Sequence, residues 1–437
     1  MGRVTKLRTL RRGTWGDDVR LLQTSLISLG YNPGPNDGIF GSKTTAAVIQ
    51  FQQNNGLVPD GIVGPLTWSA IQRQLNTLEI YTIQTGDTFY KIALAKKVPL
   101  SELLAVNPGI DPNRLMVGQT IKLPKSTVEA VPIPITIATL GFIPADSVLD
   151  LVKPILYMTD NANRRLYAVN YQTKTISFMQ FDLAPERLTY AKEKLYIALL
   201  KSGHQYYTTS PLEGGIAIVD TKTFTLITQF AINTDPYDIV VDHDGYIYTM
   251  PGSNQWEPID SFTEDGQKVA SSGNTRFWSP SEMHPLINRI YSVDTDSSPR
   301  DMEYFDVLNG LVQSQKDSPY HGDYNMATNF RLSPDGNYVF NGSGEIFDAN
   351  LGHVTSLNTK FTDVTFDLAN NKFYLGNKAG KGIMVFDYGT DLNRVFKQIG
   401  SISTNGYVQN LFFQNNSLIA LSKNDPGQYI IEVLNLR

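Results

Sequence analysis

"ITIATLGF", Ile135–Phe142, is one strand more than the sequence around it needs, and the chain's last repeat, closing on "YIIEVLNLR", Tyr429–Arg437, is one strand short. Between them, short alternating strands and polar turns recur with a loose period of roughly 40 residues, which marks stacked or radial repeats. "RLTYAKEKLYIALL", "YDIVVDHDGYIYTM", "NFRLSPDGNYVFNG", "DVTFDLANNKFYLGN" and "NLFFQNNSLIALSK" each read as strand, polar turn, strand. "GGIAIVDTKTFTLITQFAI" supplies the third and fourth strands of one such unit.

Counting gives seven units, beginning near Ser147, Leu188, Tyr237, Phe277, Asn329, Thr362 and Val408. Lending the surplus first strand to the incomplete last unit closes a ring and removes an edge that would otherwise invite aggregation. Residues 135–437 are therefore expected to form an all-β seven-bladed propeller closed by its own N-terminal strand.

Two smaller regions precede it, so the chain is multidomain. Residues 1–76 read as helices separated by Gly-rich loops: Val19, Leu22, Leu26 and Leu29 keep helical spacing between an Asp17 cap and Gly30, Ser42 caps a second helix carrying Val48 and Phe51 and stopped by Gly56, and Pro65 opens a third carrying Trp68 and Ile71. Residues 77–125 read as strand, helix, helix, strand, with "EIYTIQTGD", a helix "TFYKIALAKK" capped by Asp87 or Thr88, a second helix "PLSELLAVN", and "GQTIKLP". Residues 126–134 form an extended, Pro-bearing linker.

The first region says the same thing twice: "DGIFG" at Asp37–Gly41 and "DGIVG" at Asp60–Gly64. A hard cation wants about six oxygen ligands, and each loop offers a lone carboxylate with no Asp or Asn at alternating positions. A catalytic carboxylate pair needs one raised pKa in an apolar site, which sequence does not display. The favoured reading is structural: Asp accepts the turn's hydrogen bonds, Gly takes the positive φ, and Ile39, Phe40, Ile62 and Val63 supply core.

Composition limits the chemistry. Cysteine is absent, which excludes disulfides, thiolate nucleophiles and thiolate metal sites. The five His all lie in the propeller, at 204, 243, 284, 321 and 353, with no His-x-His, His-Glu-x-x-His or Gly-x-Ser-x-Gly arrangement. A net charge of -5 gives no support to nucleic acid or an anionic membrane as partner. The longest charge-free run, Ala130–Ala145, is broken by Pro132, Pro134 and Pro144 and falls short of the roughly 20 residues of a membrane span. The start, "MGRVTKLRTLRRGTWGDD", has no apolar stretch and does not read as a secretory signal; its Arg3, Lys6, Arg8, Arg11 and Arg12 read as a solvated tail.

The first region resembles the peptidoglycan-binding domain family, through "GDDVRLLQTSLISLGY", "DGIFG", "TTAAVIQFQQNNGL" and "DGIVGPLTW" in the usual order over about 65 residues. The second resembles a lysin motif (LysM) domain, through "YTIQTGDTFYKIA" and "NPGIDPNRLMVGQTIKLP". The third resembles propellers with a Tyr-Val-Thr-Asn type repeat, represented by "IAIVDTKTFTLI".

The LysM resemblance implies binding of N-acetylglucosamine-containing glycan in a groove lined by Gly86, Asp87, Thr88 and Phe89 on one side and Asn107, Pro108, Gly109 and Ile110 on the other. Phe89 and Tyr90 depart from the family's usual aliphatic residue at this point. In the first region the candidate glycan contacts are Tyr31, Asp37 and Phe40. Trp256, Trp278 and Tyr320 fall in turn-like stretches and are candidates for a binding face on the propeller.

Together the resemblances imply a non-enzymatic binder of peptidoglycan at the cell wall, spore envelope or cell surface, with no catalytic residue, metal or cofactor called for. They leave the propeller open to a protein partner or self-association. Two alternatives stay open. One is a structural subunit of a surface layer, appendage or phage-tail-like assembly. The other is a propeller lyase, lactonase or glycan hydrolase delivered to the wall, for which carboxylates or His clustered at the central channel would be the sign.

Overall fold

The computed structural model describes residues 8–55, 57–76, 78–85, 87–96, 103, 104, 106, 107, 110, 111, 114–124, 132–295, 297–389 and 396–436. It divides into a smaller unit up to Val131 and a larger one from Pro132 onward.

The smaller unit begins with three helices, α1 (Asp17–Ser28), α2 (Ser42–Asn54) and α3 (Pro65–Asn76). Val19, Leu22, Leu26, Val48, Phe51, Trp68 and Ile71 bury one stripe of each against a common core. The expected caps shift by one residue: Gly16 and Gly41 occupy the N-cap positions and make no side-chain cap bond, while Asp17 and Asp18 sit inside the first turn, where negative charge is stabilised by the positive end of the helix dipole. The repeated loops feed the core with only one residue each. Phe40 and Val63 are fully buried, whereas Ile39 and Ile62 face outward. The cause is local strand geometry: Trp15 bridges Ile39 and Leu10 bridges Val63, so neighbours alternate between faces.

Next come a strand, Leu78–Thr82, a helix, α4 (Phe89–Lys96), and a second strand, Thr120–Pro124, which pairs antiparallel with the first. Of the second expected helix, Pro99–Asn107, only Leu103 and Leu104 are helical among the described residues. Phe89, Ile92, Leu103, Ile121 and Leu123 form this domain's own core.

The larger unit is a ring of seven four-stranded antiparallel sheets. Their first strands are Asp146–Leu149, Ala184–Ala191, Pro236–Val241, Ser281–Met283, Phe330–Leu332, Phe361–Asp367 and Tyr407–Gln414. Ile135–Thr139 pairs with Tyr429–Asn435 as the fourth strand of the last blade, so the surplus and the deficit cancel as expected. One blade starts late. Phe277 and Trp278 belong to the connector before Ser281, where Trp278 takes a left-handed φ of 57°.

Antiparallel pairing puts the turn after each second strand and the connector to the next blade on the same face of the ring. On that face the three longest segments are 201–213, 294–301 and 318–329, from the second and fourth blades.

Candidate glycan-binding site

The LysM groove residues divide by structural role. Thr88 is the cap of α4, its Oγ1 accepting the Lys91 N–H at 3.1 Å. Asp87 instead closes the preceding turn: its Oδ2 accepts the Gln84 N–H at 2.7 Å and the Tyr81 hydroxyl at 2.9 Å, which raises the Tyr81 pKa. Phe89 is 2% exposed and packs inward, so its side chain serves the core rather than an open groove. Asn107, 7% exposed, is a clamp. Its amide donates to Leu103 O at 2.8 Å and Lys122 O at 2.7 Å and accepts the Lys122 N–H at 2.8 Å, fixing the returning strand. Ile110 packs half-buried on the same core. Gly86, Pro108 and Gly109 lie outside the described residues. Of the described candidates Thr88 is exposed, and Asp87 and Ile110 are half-buried.

In the first domain the matched Asp37 and Asp60 loops are wired alike through two glutamines. Gln23 Nε2 donates to Asp37 Oδ1 (3.0 Å), Ile39 O (3.0 Å) and Thr44 Oγ1 (3.3 Å), and Gln23 Oε1 accepts the Gly38 N–H (2.8 Å). Gln52 repeats every bond: Nε2 to Asp60 Oδ1 (2.9 Å), Ile62 O (2.9 Å) and Thr67 Oγ1 (3.2 Å), with Oε1 accepting the Gly61 N–H (2.9 Å). Each Asp also accepts the amide two residues on, from Ile39 and Ile62. These bonds hold the Asp37 carboxyl below its usual pKa.

The candidate trio Tyr31, Asp37 and Phe40 does not converge on one surface. Phe40 is 1% exposed, and Tyr31 packs its ring edge on Phe51 at 5.5 Å. Sequence reading missed the outward apolar pair of this domain, Trp15 at 76% and Ile39 at 57% exposure, which the bridge between them places side by side. Its one signal is a Trp between two glycine turns.

Along the propeller axis runs a cavity of about 630 Å³ into which every blade's first strand presents one polar residue: Asp146, Arg187, Asp238, Glu282, Arg331, Asp363 and Asn410. The carboxylates reach across to the next blade's main chain: Asp146 accepts from Leu188 N (3.0 Å), Asp238 from Ser281 N (2.8 Å), Glu282 from Leu332 N (3.1 Å) and Asp363 from Leu411 N (2.9 Å). Burial pushes Asp238 up to about 6 and Glu282 to about 7, opposed by the nearby Arg187 and Arg331. Among the described residues no group of three or more His, Asp or Glu is placed to hold a metal ion.

Residues 16–71 match the model of the putative peptidoglycan binding domain, and residues 81–124 match that of the LysM domain. The chain therefore carries two cell-wall-binding modules ahead of a seven-bladed propeller. Among similar proteins, an uncharacterized protein in the bpoA1 3' region of Kitasatospora aureofaciens is 55% identical over 60 residues, 14% of this chain and 51% of that one. A putative sporulation-specific glycosylase, YdhD, of Bacillus subtilis is 41% identical over 93 residues, 21% of each chain. The chain thus spans about half or less of these relatives. Kuenenia stuttgartiensis hydrazine synthase resembles the propeller in fold, at a TM-score of 0.50 and 14% identity over 67% of this chain and 96% of that one.

Proposed function

We propose that this chain is a non-enzymatic cell-wall binder, in which the two N-terminal modules hold the propeller on N-acetylglucosamine-containing glycan. The observation that carries the reading is the presence of two different wall-binding modules in tandem, at 16–71 and 81–124. Two weak sites on one chain gain avidity through the high effective concentration of the second once the first is engaged.

In the LysM domain the Asp87–Thr88 turn offers the sugar its edge, with backbone amides for the acetamide carbonyl and the core-packed Ile110 beside them. In the first domain Trp15 and Ile39 form the apolar surface that a pyranose face would cover. The wall or cell surface is the place this reading assigns, and the sporulation-specific relative supports the spore envelope in particular. The axial carboxylates, the anticipated sign of catalysis, are accounted for by their bonds between blades, which supports binding over chemistry.

The test is co-sedimentation of the full chain with purified peptidoglycan, with soluble N-acetylglucosamine oligomers as competitor. The expected result is pelleting that the oligomers reverse. A chain left in the supernatant overturns the reading.

A further inference from the structure

The connector face of the propeller holds a second cavity, of about 280 Å³, bounded by Trp256, Arg276, Asp294, Asp301, Glu303 and Asp317. The Arg276 guanidinium lies over the Trp256 ring at 4.1 Å and pairs with Asp294 at 3.3 Å. More than half of Trp256 stays open to solvent. Asp301 pairs with His321 at 3.0 Å, and the buried Glu303 accepts hydrogen bonds from Thr275 and Gln315, both at 2.9 Å. Exposed Asp317 stands directly across the strand pair from Glu303. Burial pushes the Glu303 carboxyl up to about 7, so at about pH 6 it is largely protonated, but Asp294, Asp301 and Asp317 still outnumber Arg276 and His321, and the pocket complements a positive ligand group.

An aromatic chain adjoins it. Tyr207 and Tyr206 meet edge to face at 4.9 Å, Tyr206 meets Phe277 at 5.0 Å, and Phe277 meets Trp278 at 4.7 Å. The Tyr207 hydroxyl donates to Gln255, next to Trp256, at 2.8 Å, which ties chain and pocket together. Tyr206, Tyr207 and Trp278 are 48%, 65% and 39% exposed, unusually open for rings that a propeller needs as core.

We propose that this corner is a carbohydrate site for a hexosamine glycan carrying free amino groups, in which the exposed aromatic rings stack on pyranose faces and the acidic pocket holds an ammonium group. Aromatic platforms receive the apolar faces of sugars, and an ammonium beside Trp256 gains both cation–π and ionic contact. An N-acetylated sugar lacks the charge and brings a methyl group into a polar pocket, so the site discriminates against it. The proposal stands apart from the wall-anchoring reading, because it concerns propeller residues alone.

The experiment is calorimetric titration of the full chain with a glucosamine tetrasaccharide and with its N-acetylated counterpart, buffered at about pH 6 so that the amines stay charged. The glucosamine oligomer is expected to bind. Trp256→Ala and Asp317→Asn are each expected to weaken it by roughly tenfold or more while leaving the N-acetylated oligomer unaffected. Asp317 is exposed and the Asn replacement is isosteric, so that variant keeps the fold. No binding of the glucosamine oligomer, equal binding by both variants, or equal binding by a tetralysine peptide would each overturn the proposal. Loss of only the N-acetylated arm would instead count against the anchoring reading.

Discussion

Replacing Gln52 with alanine should unfold the first domain. Its side chain is 1% exposed and makes four hydrogen bonds, three as donor and one as acceptor. Truncation strands the Gly61 N–H away from water, at about 1–3 kcal/mol, and removes a bond to the Asp60 carboxylate of about 1.5–3 kcal/mol. Together that is about 2.5–6 kcal/mol, comparable to what a core of fewer than roughly 70–80 residues commonly supplies. Calorimetric unfolding of the full chain should lose the transition belonging to this domain while the propeller transition stays. Wall co-sedimentation should weaken but persist through the LysM domain.

Gln52→Glu sharpens the test, because it keeps the shape. At neutral pH its carboxylate would face Asp60 Oδ1 and Ile62 O, two acceptors without a donor. Protonation restores the donor, so the folded-state pKa of the new Glu lies above its unfolded value of about 4.3. The folded state then binds the extra proton, and stability returns as pH falls toward that range. A Gln52→Ala variant within about 1 kcal/mol of wild type, or a Gln52→Glu variant that gains nothing on acidification relative to wild type, would refute the clamp.

His204 is bracketed by Asp235 at 2.8 Å and Glu186 at 3.0 Å, and although its burial works against the charge, the two carboxylates win and raise its pKa to about 9. A raised folded-state value means stability of about 3 kcal/mol present below roughly pH 6.5 and lost as pH rises through about 9; urea unfolding of wild type and His204→Gln across that window should show the dependence only in the former. Gly252→Ala should cost the propeller at least about 2 kcal/mol, read as a lower Tm, because the new Cβ would fall 2.0 Å from the His204 ring. Deleting the closing strand, Ile135–Thr139, leaves Tyr429–Asn435 as a bare edge and should produce concentration-dependent association visible by light scattering, whereas a monomeric deletion variant would argue against closure by this strand.

Ring closure was readable because strand count is a one-dimensional quantity: the surplus at Ile135 and the deficit at Tyr429 appear in the sequence before any contact is known. Direction was not. Phe89 looks like a groove residue by position, yet at the first turn of α4 its side chain points into the core with Ile92 and Leu103. Ile39 and Phe40 are adjacent and equally apolar, and only the bridge to Trp15 decides which is buried. The glutamine clamps were hidden for another reason. Gln23 precedes its Asp by 14 residues and Gln52 by 8, so the unequal loops conceal a shared hydrogen-bond pattern that the Asp-Gly phrases alone reveal in part. At the axis, one polar residue per blade is invisible until the seven first strands are aligned in space.

That alignment bears on catalysis. A general acid–base pair needs carboxyl oxygens turned toward a substrate, with protons free to move. At the axis, Asp363 Oδ1 already accepts from Val364 N (2.9 Å) and Arg331 Nε (3.1 Å), and its Oδ2 accepts from the next blade. Asp146 and Asp238 likewise divide their two oxygens between their own blade and the following one. Buried charge is tolerated only when paired and hydrogen-bonded, and here the pairing partners are the neighbouring blades and the Arg187 and Arg331 guanidiniums. The same logic operates in the small domain, where two buried amides dictate how two loops enter their helices. In both places polar groups that first suggest chemistry also fix which segment meets which.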